Sequence, residues 1–436
     1  MKTNNIRLNL SLFTTTLAGL ALLSLTGNSA LAANWTITDL GDLGAAYSFP
    51  YESRAYNINN AGQVAGKGVV LVGGVPEMHY VVWSNGTQID LGIRINSSLV
   101  DAAPINDAGQ VAGVIEAEGY RPFLWQAGVA TPLPLVPDAF GSVAALVTGI
   151  NASGAVVGFN AVYRGSAYNV AVRWQGGIVT ELNLPWGGDP TAINDHGHIA
   201  ISRYYYYTGR SAVLAGGATN MVEVPGMHEN YGLAQALDLN NAGQVCGRFT
   251  VDMREGLGYH AYLWQGGVGT PLPESLPGGV SSQSQAVALN NLGHAVGQVI
   301  NESGYRAVLW RDGTIINLSA LPEVTAAGWW GLVARDINDH GQIVGIGYHG
   351  DPFAQTAFLL SPVVVPTLAI TRSGTDVVLS FPTQTGVLYQ LQSSIDLTAA
   401  SWLNVGAPYS GTGGVLSPTI TIGPEPKKFF RLHLGN

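Results

Sequence analysis

The sequence predicts an all-β protein whose main body is a seven-bladed β-propeller, followed by a small C-terminal β-sandwich. Three observations carry that expectation. An aliphatic-Asn-x-x-Gly pattern recurs with its Asn at positions 59, 106, 151, 194, 240, 290 and 338. An apolar strand ending in Trp follows most copies, and a fourth-strand segment stands displaced at the N-terminal end. The repeats are 43 to 50 residues apart, the size of one four-stranded blade.

Asn or Asp before Gly is turn chemistry, because short polar side chains bond the local backbone and Gly accepts positive φ. Each copy therefore reads as a tight hairpin leading into a small-residue strand that closes on Gly, as in Ile105 to Gly113 and Ile337 to Gly345. The fourth copy is degenerate, with Ala200 read at the closing-Gly position. The tryptophans are Trp83, Trp125, Trp174, Trp264 and Trp310, and units four and seven are read with Ala215 and Leu360 in that place. No helical periodicity competes over any long window.

The fourth strands align as Thr87 to Gly92, Ile178 to Asn183 and Thr314 to Ser319. Unit seven lacks one, whereas Thr36-Ile37-Thr38-Asp39-Leu40-Gly41 stands alone near the start. The expectation is that this segment completes the last blade, since a ring closed on its own ends leaves no sheet edge exposed.

Lys2 and Arg7 precede an apolar run from Leu8 to Leu25, and Ala30-Leu31-Ala32 follows. This reads as a secretory signal over residues 1–32, cleaved after Ala32, with the propeller over 33–362 and the sandwich over 363–436. The mature protein is expected to be secreted, periplasmic or on the cell surface, without a membrane span and as a monomer. With 19 basic and 28 acidic residues and no basic cluster, nucleic acid is an improbable partner. A single cysteine, Cys246, excludes an intramolecular disulfide, and its alignment with Ala112, Val157, Val296 and Val344 marks a buried strand position.

His260-Ala261-Tyr262 followed by Leu263-Trp264, with looser copies in Arg121-Pro122-Phe123 and Thr356-Ala357-Phe358, resembles the bacterial extracellular repeat family named for its His-Ala-Phe triplet. The resemblance covers roughly residues 35–361. It implies a structural repeat and supplies no activity or catalytic residue. Pro424-Glu425-Pro426 matches the start of a sorting signal found in some relatives, but no apolar helix follows it. Leu391-Gln392-Ser393-Ser394, Trp402 and Phe429 to Leu432 resemble a β-sandwich module at the ends of secreted bacterial proteins.

In an up-and-down blade the tight turns share one face with the 3-to-4 connections, and the long loops collect on the other. Those loops include Lys67 to Tyr80, Arg203 to Arg210, Pro225 to Gln235, Pro322 to Val333 and Gly347 to Gln355. Variable loops on a rigid scaffold are where binding resides. The candidate ligand residues are the aromatics Trp186, Tyr205, Tyr231, Trp329 and Trp330, with His228, Glu229, His349 and Asp351 as polar partners. Aromatic faces beside polar groups suit a sugar ring or a peptide. His196, His198, His294 and His340 occupy hairpin turns on the opposite face.

No nucleophile elbow, phosphate loop, zinc-protease or dinucleotide motif occurs, and no metal or cofactor is implied. The sequence favours a non-catalytic binding or surface-interaction protein whose ligand is an extracellular glycan or protein. The alternative is a carbohydrate-active enzyme using carboxylates such as Glu229, Asp351 or Glu323.

Overall fold

A computed structural model describes residues 35–41, 53–95, 102–115, 120–137, 145–163, 167–184, 188–205, 208–216, 218–222, 233–250, 258–276, 283–301, 304–350, 355–363, 366, 368–373, 376–383, 388–396, 398, 401–412, 414–421 and 428–435. The segment read as a secretory signal lies outside them. The chain divides into two compact units, one spanning Trp35–Pro362 and the other containing Val363–Asn436.

The first unit is an all-β propeller of antiparallel sheets laid down in chain order. Repeat one is Arg54–Ile58, Val64–Val72, Val75–Ser84 and Thr87–Arg94. Repeat two has Val111–Ile115, Arg121–Gln126 and Val129–Pro132, with Ile105 bridging to Val111 where the inner strand would run. Pro104 has no N–H to extend that pairing. Repeat three is Ala145–Ile150, Val156–Tyr163, Ala167–Gln175 and Ile178–Glu181. Repeat four is Asp189–Ile193, Ile199–Tyr205, Thr208–Ala215 and Ala218–Met221. Repeat five is Leu233–Leu239, Val245–Thr250, His260–Gln265 and Val268–Pro271, joined to repeat four by one parallel bridge, Gly209 to Leu233. Repeat six is Gln283–Leu289, Ala295–Asn301, Gly304–Arg311 and Thr314–Asn317.

Repeat seven is Trp330–Ile337, Ile343–Tyr348 and Gln355–Pro362, and its outer strand is Trp35–Asp39. The register sets Thr36 opposite Ser361 and Ile37 opposite Leu360. The displaced N-terminal segment therefore pairs with the end of the last repeat.

Every hairpin asparagine side chain does two jobs. Its Oδ1 accepts the backbone N–H four residues on, holding the turn. Its Nδ2 donates to the backbone carbonyl of the next repeat's asparagine, from Asn59 to Asn106, then Asn151, Asn194, Asn240, Asn290, Asn338 and back to Asn59, at 2.9 to 3.1 Å. The seven bonds form a closed cycle, and all seven asparagines are buried.

A second cycle runs through the following residue, whose N–H meets the Asp or Asn Oδ1 of the next repeat. It links Asn60 to Asp107, Ala152 to Asp195, then Asn241, Asn291, Asp339 and Asn60. It breaks between Asp107 and Ala152, because alanine offers no acceptor.

The closing glycines answer a β-bulge between the first two strands. A Cβ at Gly66, Gly158, Gly247, Gly297 or Gly345 would lie 1.8 to 2.0 Å from a carbonyl oxygen of the inner strand. Repeat four is built differently. The register gives Ile201, not Ala200, at the closing-glycine position and pairs it with Ala212, where repeats five and seven pair Gly247 with Tyr262 and Gly345 with Phe358. A large residue has replaced a small one, and its partner has shrunk.

Tryptophan packs between repeats. Trp174 meets Ala112 and Val136, Trp264 meets Ala200 and Val213, and Trp310 meets Cys246 and Ala261 of the preceding repeat. The indoles of Trp174 and Trp310 donate to the carbonyls of Pro134 and Pro273. In repeat four the equivalent residue is Leu214, opposite Ile199 as Trp264 is opposite Val245, so the expectation of Ala215 is corrected. Cys246 is buried in its strand.

In the second unit, Ala369–Ser373, Asp376–Pro382, Val415–Leu416 and Thr419–Thr421 form one sheet, and Leu388–Ser394, Leu403–Asn404, Tyr409–Ser410 and Phe429–Gly435 the other. Val377, Leu379 and Leu391 share one apolar cluster, and the Arg431 guanidinium sits 4.2 Å over the Trp402 ring.

Two substitutions test the cycles. Asn290→Asp keeps the turn acceptor but removes the donor to Asn338, and should cost about 1–3 kcal/mol and lower Tm by a few degrees. Ala152→Asn offers Asp107 N–H its missing acceptor and should stabilise by about 0.5–1.5 kcal/mol in the same thermal melts. Unchanged melting in both variants would remove the cycles as a source of stability.

Candidate functional site

The long-loop end of repeat seven brings an aromatic and polar group together. A 3-10 turn at Leu318–Ala320 leads into the segment Pro322 to Val333, expected as loop, which folds as a short helix α1 (Pro322–Ala326) and the start of the strand Trp330–Ile337. Proline at the helix start and Val324 buried beneath it fix this element. The chain then delivers Trp329 and Trp330 to opposite sides, as neighbouring extended residues must.

Trp330 is 50% exposed and stacks on Tyr348, with ring centroids 4.2 Å apart and planes 12° from parallel. Gly331, at φ +61°, makes that approach, since a Cβ there would fall 2.9 Å from the Tyr348 ring. Trp329 is only 4% exposed, which corrects its assignment as a ligand residue. His349 stacks on it at 4.6 Å, Phe358 meets it edge-on, and Gly347 lies against the indole. Its faces are used inside the fold.

His349 is oriented by the closing strand. Its Nδ1 lies 2.8 Å from Asp39 Oδ2, and Asp39 Oδ1 accepts from Thr356 Oγ1 and the Gly41 N–H. His79 and Asp90 in repeat one, and His260 and Glu274 in repeat five, form similar pairs at 2.8 and 3.0 Å. His260 and Thr356, which begin two of the three triplets, are thus each tied to an acid, Glu274 and Asp39. That is a structural use.

Of the remaining sequence candidates, Trp186, Tyr231, His228, Glu229 and Asp351 lie outside the described residues. Tyr205 ends the strand Ile199–Tyr205, and its side chain is not described. Tyr348, a partner of the exposed indole, is not among the sequence candidates although it lies in the loop read from Gly347 to Gln355; it ends the strand Ile343–Tyr348.

A second concavity opens on the axis at the tight-turn face, with a volume of about 190 Å³. The two asparagine cycles line it, and Asp238 reaches it. Asp238 and Asp336 precede the hairpin asparagines by two residues, where other repeats carry Asn57, Pro104, Gly149, Ala192 and Ala288. Asp238 accepts the N–H groups of Leu239 and Leu289, and Asp336 those of Ile337 and Ile58. Each ties its repeat to the next. Burial, with the Asp238 charge adding to it, pushes the Asp336 carboxyl up to about 7. Burial also raises Asp238. Among the described residues no group of three His, Cys, Asp or Glu side chains is placed to hold a metal. No helix among them is long and apolar enough to cross a membrane.

No described protein family and no curated protein matches the chain. Among solved structures it is similar to the β-propeller domain of the Trilobed protease from Pyrococcus furiosus, at 11% identity and TM-score 0.46, covering 71% of this chain and 95% of that one. It is also similar to TolB from Acinetobacter baumannii, at 12% identity and TM-score 0.35, covering 74% of this chain and 78% of that one. This degree of likeness concerns the scaffold alone.

The raised Asp336 sets a pH dependence. Between the unfolded carboxylate value near 4 and the folded value of about 7, the native state holds a proton that the unfolded chain releases. Stability should therefore fall as pH rises through that window and level off above it. The Tm difference between the natural chain and Asp336→Asn, followed from pH 4 to 8, should shift against the natural chain as pH rises. Parallel curves would contradict the assignment.

Proposed function

We propose that the protein is an exported seven-bladed β-propeller with a C-terminal β-sandwich module, and that it binds an extracellular glycan on its long-loop face without turning it over. The seven-membered asparagine cycle supports the blade count. The observation that carries the binding reading is the exposed Trp330 indole held flat on Tyr348. A rigid, half-exposed aromatic face loses little conformational entropy on binding and suits the apolar side of a sugar ring.

The carboxylates described argue for scaffold more than for chemistry. Asp39 is committed to His349, Thr356 and the Gly41 N–H, and Asp238 and Asp336 to backbone donors of two repeats each. Glu323, a candidate acid in the alternative enzymatic reading, sits in the first turn of α1, where a negative charge favours the helix end.

A polysaccharide panel scored for both retention and product release tests the proposal. Trp330→Ala should weaken binding of the retained glycan at least about fivefold while leaving Tm nearly unchanged, as expected for loss of roughly 1 kcal/mol of stacking. Release of shorter products would move the protein to the carbohydrate-active class. Full binding by the alanine variant would move the site elsewhere.

A further inference from the structure

The interface between repeats three and four joins two departures, a charged residue found at this position in no other repeat and a leucine in the tryptophan position, which repeat seven shares in Leu360. From each preceding repeat, one third-strand residue faces the tryptophan position of the next repeat. Leu124 meets Trp174, Val213 meets Trp264, Leu263 meets Trp310 and Leu359 meets Trp83, each in a shared apolar cluster. At the three-to-four interface the first residue is Arg173, paired with Val157 as Leu263 is with Cys246, and the second is Leu214. An aliphatic side chain has become a guanidinium, and an indole has become an isobutyl group.

The result is a cleft of about 360 Å³ opening on the tight-turn face, lined by Arg173, Leu214, Ile199, Ser153, Asn151 and His196 among others. The guanidinium is underused. One Nη donates to Gln175 Oε1 at 2.5 Å, while the buried Nε has no partner. Arg173 makes no ion pair among the described residues. Asp195 borders the same cleft, but its oxygens accept from Ala152 N–H and Asn241 Nδ2.

Arg173 is half-buried at a position that is aliphatic in the other repeats, and it is the cationic group of a cleft otherwise lined by hydroxyl, amide and apolar side chains with Asp195 at its border. Its two Nη groups keep N–H donors beyond the one given to Gln175, and that edge suits a planar carboxylate, which a guanidinium grips in a two-point fork. The remaining space, with apolar Ile199 and Leu214 on one side and hydroxyl and amide groups on the other, would take the body of a small solute. We infer that the cleft between repeats three and four is a binding site for a small carboxylate-bearing solute, held by Arg173, on the face opposite the Trp330 platform.

The experiment is calorimetric titration of the purified chain with D-glucuronate, succinate and D-glucose. The first two carry carboxylates on different bodies, and the third is the neutral counterpart of the first. Binding of glucuronate, succinate or both that depends on Arg173, with no Arg173-dependent glucose binding, is expected, and the stronger of the two identifies whether a sugar ring adds to the carboxylate. Arg173→Leu restores the repeat's own aliphatic residue and should fold at least as stably, yet lose affinity at least about tenfold. Leu214→Trp restores the indole and should block the cleft with the arginine still present. The inference is overturned if neither carboxylate binds, if Arg173→Leu removes glucose binding as fully as glucuronate binding, or if either cleft variant keeps full affinity for the carboxylate.

Discussion

A buried asparagine amide can satisfy two backbones at once, and the ring depends on that. Its oxygen caps the hairpin of its own repeat, and its nitrogen reaches the carbonyl at the same position of the next. Aspartate could do the first but not the second, and serine lacks the reach for both. This explains why all seven hairpins keep Asn, even in repeat four, where the closing glycine and the tryptophan are replaced by Ile201 and Leu214. The cycle also converts neighbour contacts into a closed system, since Asn338 bonds Asn59 across 279 residues of sequence. The outer strand Trp35–Asp39 makes the same closure at the periphery.

With the hairpins fixed, the bulge in each inner pair forces the next constraint. It drives an inner-strand carbonyl toward the second strand, so a glycine must sit there, and an aromatic ring from the third strand often covers it. Repeat four escapes by exchanging volumes, Ile201 against Ala212, and its missing indole leaves space at the interface with repeat three. Core layers of this kind accept swaps that conserve volume across the pair, and open where only one partner shrinks.

Much of this was legible in the sequence. The seven turns, the displaced first strand and the buried Cys246 follow from pattern alone, because turn chemistry and strand alternation are local. Ile201 and Leu214 were misread because the nearest small residue, Ala200 or Ala215, was matched in place of the position that register demands. Only pairing shows which residue faces the neighbour. Trp329 was misjudged for a related reason: two adjacent tryptophans must point apart, but sequence does not say which side is inside. Tyr348 and Gly331 carried no signal of their own until their contact was visible.

The two faces of the ring are therefore unlike for a physical reason. Hydrogen bonds between repeats bind the tight-turn face residue by residue, so a change there shows as a gap, a missing acceptor at Ala152 or a cleft at Arg173 and Leu214. Among the described residues the long-loop face has no such cycle, and single residues such as Trp330 can vary without breaking the scaffold. A repeat protein of this kind reveals candidate sites through departures from its own period. An aliphatic position that becomes charged, or an indole that faces solvent, has left the arrangement that six other copies find sufficient for folding.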